Sequence, residues 1–198
     1  MADEIKITVT GDARTEAAVR RLGSDLPKAM LGAMRTVTLF LQAYIQRKKL
    51  TGDPLKVRSG RLRSSITGTA RMIDRQIVGT VGTKTPYSRI HEFGGEIRPK
   101  KGRYLTVPLP AAKTSAGVVR GRARDFKDTF LFRSKAGNLI IMGKPTPGAL
   151  EVEPLFILKE VVNIPKRSYL VSSVKENKDR IGQIFKKSLE TLANKEAA

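Results

Sequence analysis

A single histidine, His91, sits beside Glu92 in the run Ser88-Arg89-Ile90-His91-Glu92-Phe93, and it is the only one in the chain's 198 residues. A nucleophile, base and orienter arrangement usually employs such a residue. Adjacent residues, however, do not face each other on a helix or a strand, so the sequence does not hand His91 a carboxylate partner in Glu92. His91 is read as a structural or interface residue. With no cysteine, no second histidine and no calcium-type acidic loop, neither a thiolate site nor a metal site is predicted. The run Gly79-Thr80-Val81-Gly82-Thr83-Lys84 has the look of a phosphate loop but lacks the GxxxxGK[ST] spacing that aims backbone amides at phosphate, and it is read as a strand edge and turn. The expectation is a protein that is not an enzyme and takes no cofactor.

Charge is the strongest global signal. Thirty-eight Lys and Arg against 18 Asp and Glu give +20, and the excess is concentrated in residues 54–144, which hold 20 basic and 5 acidic side chains. Arg58, Arg61, Arg63, Lys100, Lys101, Arg103, Arg120, Arg122 and Arg124 could neutralise phosphates in a sequence-independent, salt-sensitive way. The six from Lys100 to Arg124 are the candidates to face DNA. No zinc finger, helix-turn-helix or RNA-recognition signature accompanies them, and aromatic residues, at 6%, are too sparse for a stacking platform. The other reading of this charge is a solvated face, or one that meets an acidic protein neighbour.

The elements that would position these residues can be read from periodicity. Ile5 to Thr10 alternates like a strand, Gly11-Asp12 marks a turn, and Thr15 to Leu22 suits a brief helix. From Ser24, the residues Leu26, Met30, Ala33, Val37, Phe40 and Tyr44 recur at helical steps, with Ser24 and Asp25 as caps, Pro27 in the first turn and an end near Lys49. Ser64 to Val81 predicts two strands turning near Met72 to Arg75. Glu96 to Pro99 and Arg103 to Pro108 predict a second hairpin with a basic tip at Lys100, Lys101 and Gly102. Residues 110–125 read as a mobile loop, and Phe130 to Phe132 with Leu139 to Met142 form another hairpin turning at Gly137-Asn138. Leu155 to Val162 fits strand or helix. Tyr169 to Ala193 keeps helical spacing, with Ser168 able to cap it. Consecutive strands between two amphipathic helices predict an α+β fold: a small antiparallel sheet flanked by a long N-terminal helix and a C-terminal helix, with long basic loops or hairpins. One domain over 1–198 is expected, with a loop- and hairpin-rich extension at about 100–145. No run approaches the roughly 18 apolar residues of a membrane-spanning helix, and the first residues lack the pattern of a secretory signal, so the cytosol is the expected place of synthesis.

Three segments read together resemble phage tail-completion or neck proteins, the head-tail joining class of minor tail components in long-tailed phages. Val57-Arg58-Ser59-Gly60-Arg61-Leu62-Arg63-Ser64-Ser65-Ile66 is similar to that family's TG-x-L-R-x-S-I signature, with Ser59 in place of Thr. Val81 to Gly95 resembles its VGT…YA…EFG segment through Gly82, Thr83, Tyr87, Glu92, Phe93 and Gly94, with Ser88 where Ala is common. Ile164-Pro165-Lys166-Arg167-Ser168-Tyr169-Leu170 is similar to the P-A-R-P-F-L run before the last helix, keeping Pro165, Arg167 and Leu170 and departing at Lys166, Ser168 and Tyr169. The order of the segments, and the helix before and after them, match as well.

Physically these segments read as turn and packing devices. Ser59-Gly60 would turn the chain from helix to strand, and Arg61 and Arg63 would point outward as Leu62 points in. Tyr87 and Phe93 would pin a short helix or loop on the sheet. The resemblance implies a non-enzymatic virion protein, assembled in the host cytoplasm and acting as a hexameric ring around the DNA channel. Its partners would be the tail terminator or tail tube and the head-neck connector, with non-specific contact to DNA and none to membrane. Ring interfaces are expected in the long loops and the hairpin 126–144, where Phe130, Phe132, Ile140 and Ile141 exceed what one small core needs.

Overall fold

The computed structural model describes residues 3–8, 25–74 and 76–196. The expected turn at Gly11-Asp12, the brief helix at Thr15 to Leu22, the cap at Ser24 and Arg75 of the first hairpin lie outside the described residues. The fold is α+β, and the chain divides into two compact units, residues 1–93 with 166–198, and residues 94–165. The second unit is thus inserted into the first, and it contains the whole stretch that the sequence marked as an extension.

In the first unit, strands β1 (Asp3–Thr8), β2 (Thr67–Ile73) and β3 (Gln76–Thr83) form an antiparallel sheet in the order β1-β3-β2. Gly79 to Thr83, expected at a strand edge, therefore lies in the central strand. Long-range pairing with β1 puts it there, which local pattern does not encode. The β2–β3 hairpin pairs Ile73 with Gln76 and turns through Asp74 at φ 47°, as the sequence predicted.

Helix α1 (Leu26–Tyr44) continues as a π-helical turn over Ile45–Lys49, closed by Leu50 N–H donating to the Ile45 carbonyl at 3.1 Å. Its apolar stripe is buried: Ala33, Met34, Val37, Leu41 and Ile45 meet Leu50, Ile66, Val81, Tyr169, Leu170 and Phe185 in one core. Asp25 occupies the N-cap position without a side-chain cap bond, and its carboxylate lies 3.6 Å from Lys28 instead. The helix crosses the sheet closely because two strand positions lack a Cβ. At Gly68 an added Cβ would lie 2.6 Å from the Thr38 carbonyl oxygen, and at Gly79 it would run into the Met34 thioether. Gln42 Oε1 accepts from the Gly68 N–H at 2.9 Å, so a donor of edge strand β2 is satisfied from the helix.

The C-terminal helix, expected as one element, is two: α4 (Val171–Glu176) and α5 (Lys178–Glu196). In chain order they follow α2 (Arg61–Ser64) and α3 (Ser88–Phe93). Asn177 breaks the run at φ −109°, ψ 18°, with its side-chain amide donating to the Ser173 carbonyl at 2.8 Å. Local side-chain bonding of this kind is why Asn competes with helix continuation.

In the second unit, β4 (Gly95–Ile97) pairs with β9 (Val162–Ile164), while β5 (Leu105–Pro108), β6 (Phe130–Arg133), β7 (Leu139–Gly143) and β8 (Glu153–Lys159) form a sheet in the order β5-β8-β7-β6. The hairpin expected between Glu96–Pro99 and Arg103–Pro108 is not formed, since its two halves go to different sheets through partners some sixty residues onward. Of Leu155 to Val162, the first five residues lie in β8 and Val162 opens β9, with Glu160 and Val161 between the strands, and the β6–β7 hairpin turns at Gly137, φ 77°, as predicted. Residues 110–125, expected to be mobile, are held by their own bonds. Two short 3-10 turns, Pro110–Ala112 and Ala123–Asp125, flank a Lys113–Val119 bridge, and Arg120 N–H donates to the Ala112 carbonyl at 2.9 Å. Ala112 is fully buried with Leu155 and Phe156, against which Ala111, Ala123, Phe126 and Ile141 pack. A small apolar residue in a polar stretch carries no period, which is why this core was invisible in the sequence.

Candidate functional site

The three segments come together in the first unit up to Phe93 and from Lys166, with Gly94, Gly95, Ile164 and Pro165 belonging to the second. Gly60 opens the assembly, adopting φ 72° as N-cap of α2. Ser59-Gly60 therefore turns the chain into a helical turn and not directly into a strand as expected. The helical turn still exposes Arg61 and Arg63 and packs Leu62 against the core. Ile66, 1% exposed, is the buried anchor that follows.

A cluster of hydroxyls ties the first segment to the second. Ser65 Oγ lies 2.7 Å from Thr83 Oγ1, Thr83 Oγ1 donates to Thr85 Oγ1 at 2.9 Å, and Thr85 Oγ1 donates to Ser65 Oγ at 2.8 Å. Ser65 Oγ gives its own proton to the Leu62 carbonyl at 2.8 Å, so the donors run from Thr83 to Thr85 to Ser65 to the backbone and each hydroxyl has an acceptor. Gly82, in β3 beside Thr83, is paired with Thr67 of β2.

The second and third segments meet through Glu92. Its side chain is 1% exposed, and its two oxygens accept from the backbone N–H groups of Leu170 at 2.8 Å and Val171 at 3.0 Å. These are donors at the start of α4, which have no acceptor within their own helix. A carboxylate there is favoured by hydrogen bonding and by the helix dipole. The cap expected from Ser168 is therefore supplied from α3, across 78 residues of chain. Ser168 instead takes φ 49° and donates its N–H to the Glu92 carbonyl at 3.1 Å, while Arg167 N–H donates to the His91 carbonyl at 2.9 Å. Leu170 is buried in the core behind this junction. Gly94, at φ 73°, and Pro165 are the first and last residues of the inserted unit.

His91 stands over this junction half-buried, with the Tyr87 ring edge-on at 6.1 Å. Burial first, and then the nearby charges of Arg167 and Arg58, hold its pKa below the usual histidine value. Its ring is therefore a poor proton acceptor at neutral pH. Tyr87 and Phe93, expected to pin α3 on the sheet, are 39% and 53% exposed. Phe93 lies under the Arg89 guanidinium at 5.4 Å. Ser88 and Glu92 are the buried residues of this helix, and Glu92 is held there by the backbone donors of Leu170 and Val171. The arrangement is a structural joint with an exposed rim of Arg and aromatic side chains.

The DNA-facing candidates all belong to the second unit, and all are exposed. Arg103 is engaged by Glu160 at 3.0 Å, and Arg120 Nε donates to the Lys113 carbonyl at 3.1 Å. Arg122 offers its backbone N–H to Asp125 at 2.7 Å. Lys100, Lys101 and Arg124 have no acidic partner among the described residues. Among those residues there is also no cluster of three or more His, Asp and Glu fit to hold a metal, and no helix long and apolar enough to cross a membrane. Sequence reasoning missed Glu92 as a helix cap and the Ser65, Thr83 and Thr85 hydroxyl contacts, because neither pairing leaves a spacing signal. No protein-family model, curated protein or solved structure matches the chain.

Proposed function

We propose that this chain is a structural virion protein of the head-tail junction of a long-tailed phage, a tail-completion or neck component that assembles as a ring around the DNA channel. The observation that carries the reading is the joint itself. Three segments that resemble the tail-completion signature are bonded to one another by the Ser65, Thr83 and Thr85 hydroxyls and by the Glu92 cap, so the likeness falls on residues that tie the first unit together. The reading assigns no acid-base or nucleophilic role: Glu92, the carboxylate beside His91, is consumed by backbone donors. The ring is a homo-oligomer, hexameric as the resemblance implies, closed by cyclic symmetry and bound by the tail terminator or tail tube on one side and the head-neck connector on the other.

The test is the mass of the purified protein by native mass spectrometry, alone and after mixing with tails that lack it. Capture of about six copies per tail end, with recovery of head joining, is the expected result. A chain that stays monomeric and leaves such tails unjoined sinks the proposal. A second reading, non-specific nucleic-acid binding, is favoured by Lys100, Lys101 and Arg124, which face solvent without acidic partners. It requires affinity for DNA that falls with a slope of about 0.9 per phosphate contacted on a log-log salt plot.

A further inference from the structure

Strand β6, Phe-Leu-Phe-Arg over Phe130–Arg133, is an edge of its four-stranded sheet. Its apolar residues are left open: Phe130 is 53%, Leu131 65% and Phe132 49% exposed. The β6–β7 register pairs Phe130 with Met142, Leu131 with Ile141 and Phe132 with Ile140. The hairpin is closed by Ser134 N–H donating to the Asn138 carbonyl at 2.9 Å. Counting back from that bonded pair, the alternation of an antiparallel ladder gives the inward-bonded positions to Phe132 and Phe130. The N–H and C=O groups of Leu131 and Arg133 then point off the sheet edge.

An edge strand with consecutive exposed apolar residues is a template for a further strand unless it is blunted by proline, a bulge or inward charge. β6 has no proline, bulge or inward charge, and the protection it does carry is its four-residue length and the terminal Arg133. The hairpin that carries it is cationic in sequence, with Lys127, Arg133, Lys135 and Lys144 against the single acid Asp128. The opposite free edge of this sheet, β5, follows Lys100, Lys101 and Arg103, so pairing β6 with β5 of a second copy would bring cations to cations. The alternating donors and acceptors of the edge match another extended polypeptide backbone, which a nucleic acid does not present.

We propose that β6 is a docking edge for an extended segment of a partner protein, a strand that alternates acidic and apolar side chains and adds antiparallel or parallel as a fifth strand. Backbone bonds to Leu131 and Arg133 supply the affinity. Apolar side chains seated beside Phe130 and Phe132 on one face, or Leu131 on the other, fix the register, and acids facing Lys127, Arg133 and Lys135 select the partner. This surface lies within the inserted unit and does not depend on the head-tail reading.

The test uses the full chain and a short fluorescent peptide alternating glutamate and valine, compared with the same peptide carrying lysine for glutamate. The glutamate peptide is expected to bind at least about tenfold more tightly, to weaken with salt, and to shift the backbone amide resonances of Leu131 and Arg133. Leu131→Pro removes an outward N–H without touching the hairpin's own bonds and should abolish binding. The double change Arg133→Glu with Lys135→Glu should invert the preference toward the lysine peptide, an outcome misfolding cannot imitate. Equal binding of both peptides, or no inversion, overturns the proposal. So does self-association of the chain that Leu131→Pro abolishes, which would make the occupant a second copy, or a DNA duplex that shifts the same two amides.

Discussion

Truncating Glu92 to alanine would strip the Leu170 and Val171 N–H groups of their acceptor in a buried place, and a lost charge-assisted pair of this kind costs about 3 kcal/mol. Urea unfolding should show that loss at neutral pH, and Glu92→Gln, which keeps the shape and one acceptor oxygen, should lose less. His91 makes a separate prediction through protons. Its folded pKa lies below the ordinary value because of burial, Arg167 and Arg58, so above about pH 6.5 both folded and unfolded chains hold it neutral and it contributes nothing. As pH falls below that value the unfolded chain takes up the proton first, and stability declines until the folded pKa is passed. Because the chain has one histidine, its C2 proton resonance reports the titration directly. Arg167→Gln should move the midpoint upward, and an unmoved midpoint would show that the guanidinium does not act on the ring.

Between elements, the decisive contact is the crossing of α1 over β2 and β3. Gly68→Ala places a methyl against the Thr38 backbone, which cannot step aside as the end of a flexible side chain could, and overpacking of this sort costs about 1–3 kcal/mol. Gly79→Ala meets mainly the Met34 side chain, which can change rotamer, so it should cost less. Chemical denaturation of the two variants in parallel decides the order, and the reverse order would mean that the helix shifts more readily than the thioether. The Ile45–Lys49 turn and α4 are linked at the surface, where Glu176 accepts from Tyr44 at 2.8 Å and from Lys49 at 2.6 Å. The Lys49 and Tyr44 hydrogen bonds hold the Glu176 carboxyl below its ordinary pKa. The stabilisation they bring is present above the ordinary glutamate range and fades as pH falls through the folded value.

At the scale of the whole chain, Arg167 and Ser168 bond to the carbonyls of His91 and Glu92, so the two ends left by removing the inserted unit are already adjacent within the first unit. Replacing residues 94–165 with a short glycine linker should leave a cooperatively folding protein that retains the α1 core. A non-cooperative thermal transition would show that the first unit depends on the insertion. The sequence by itself determined the two amphipathic helices, the β2–β3 and β6–β7 hairpins, the α+β class and the position of the basic excess, because helical period, strand alternation and turn residues such as Asp74 and Gly137 are local. Only the tertiary structure decided that β3 is a central strand, that β4 and β5 part company, and that Glu92 caps α4. Those outcomes depend on groups 70 or more residues apart in several cases, such as Glu92 and Leu170. A backbone donor takes whichever acceptor the packed core brings within reach, and spacing along the chain does not record that choice.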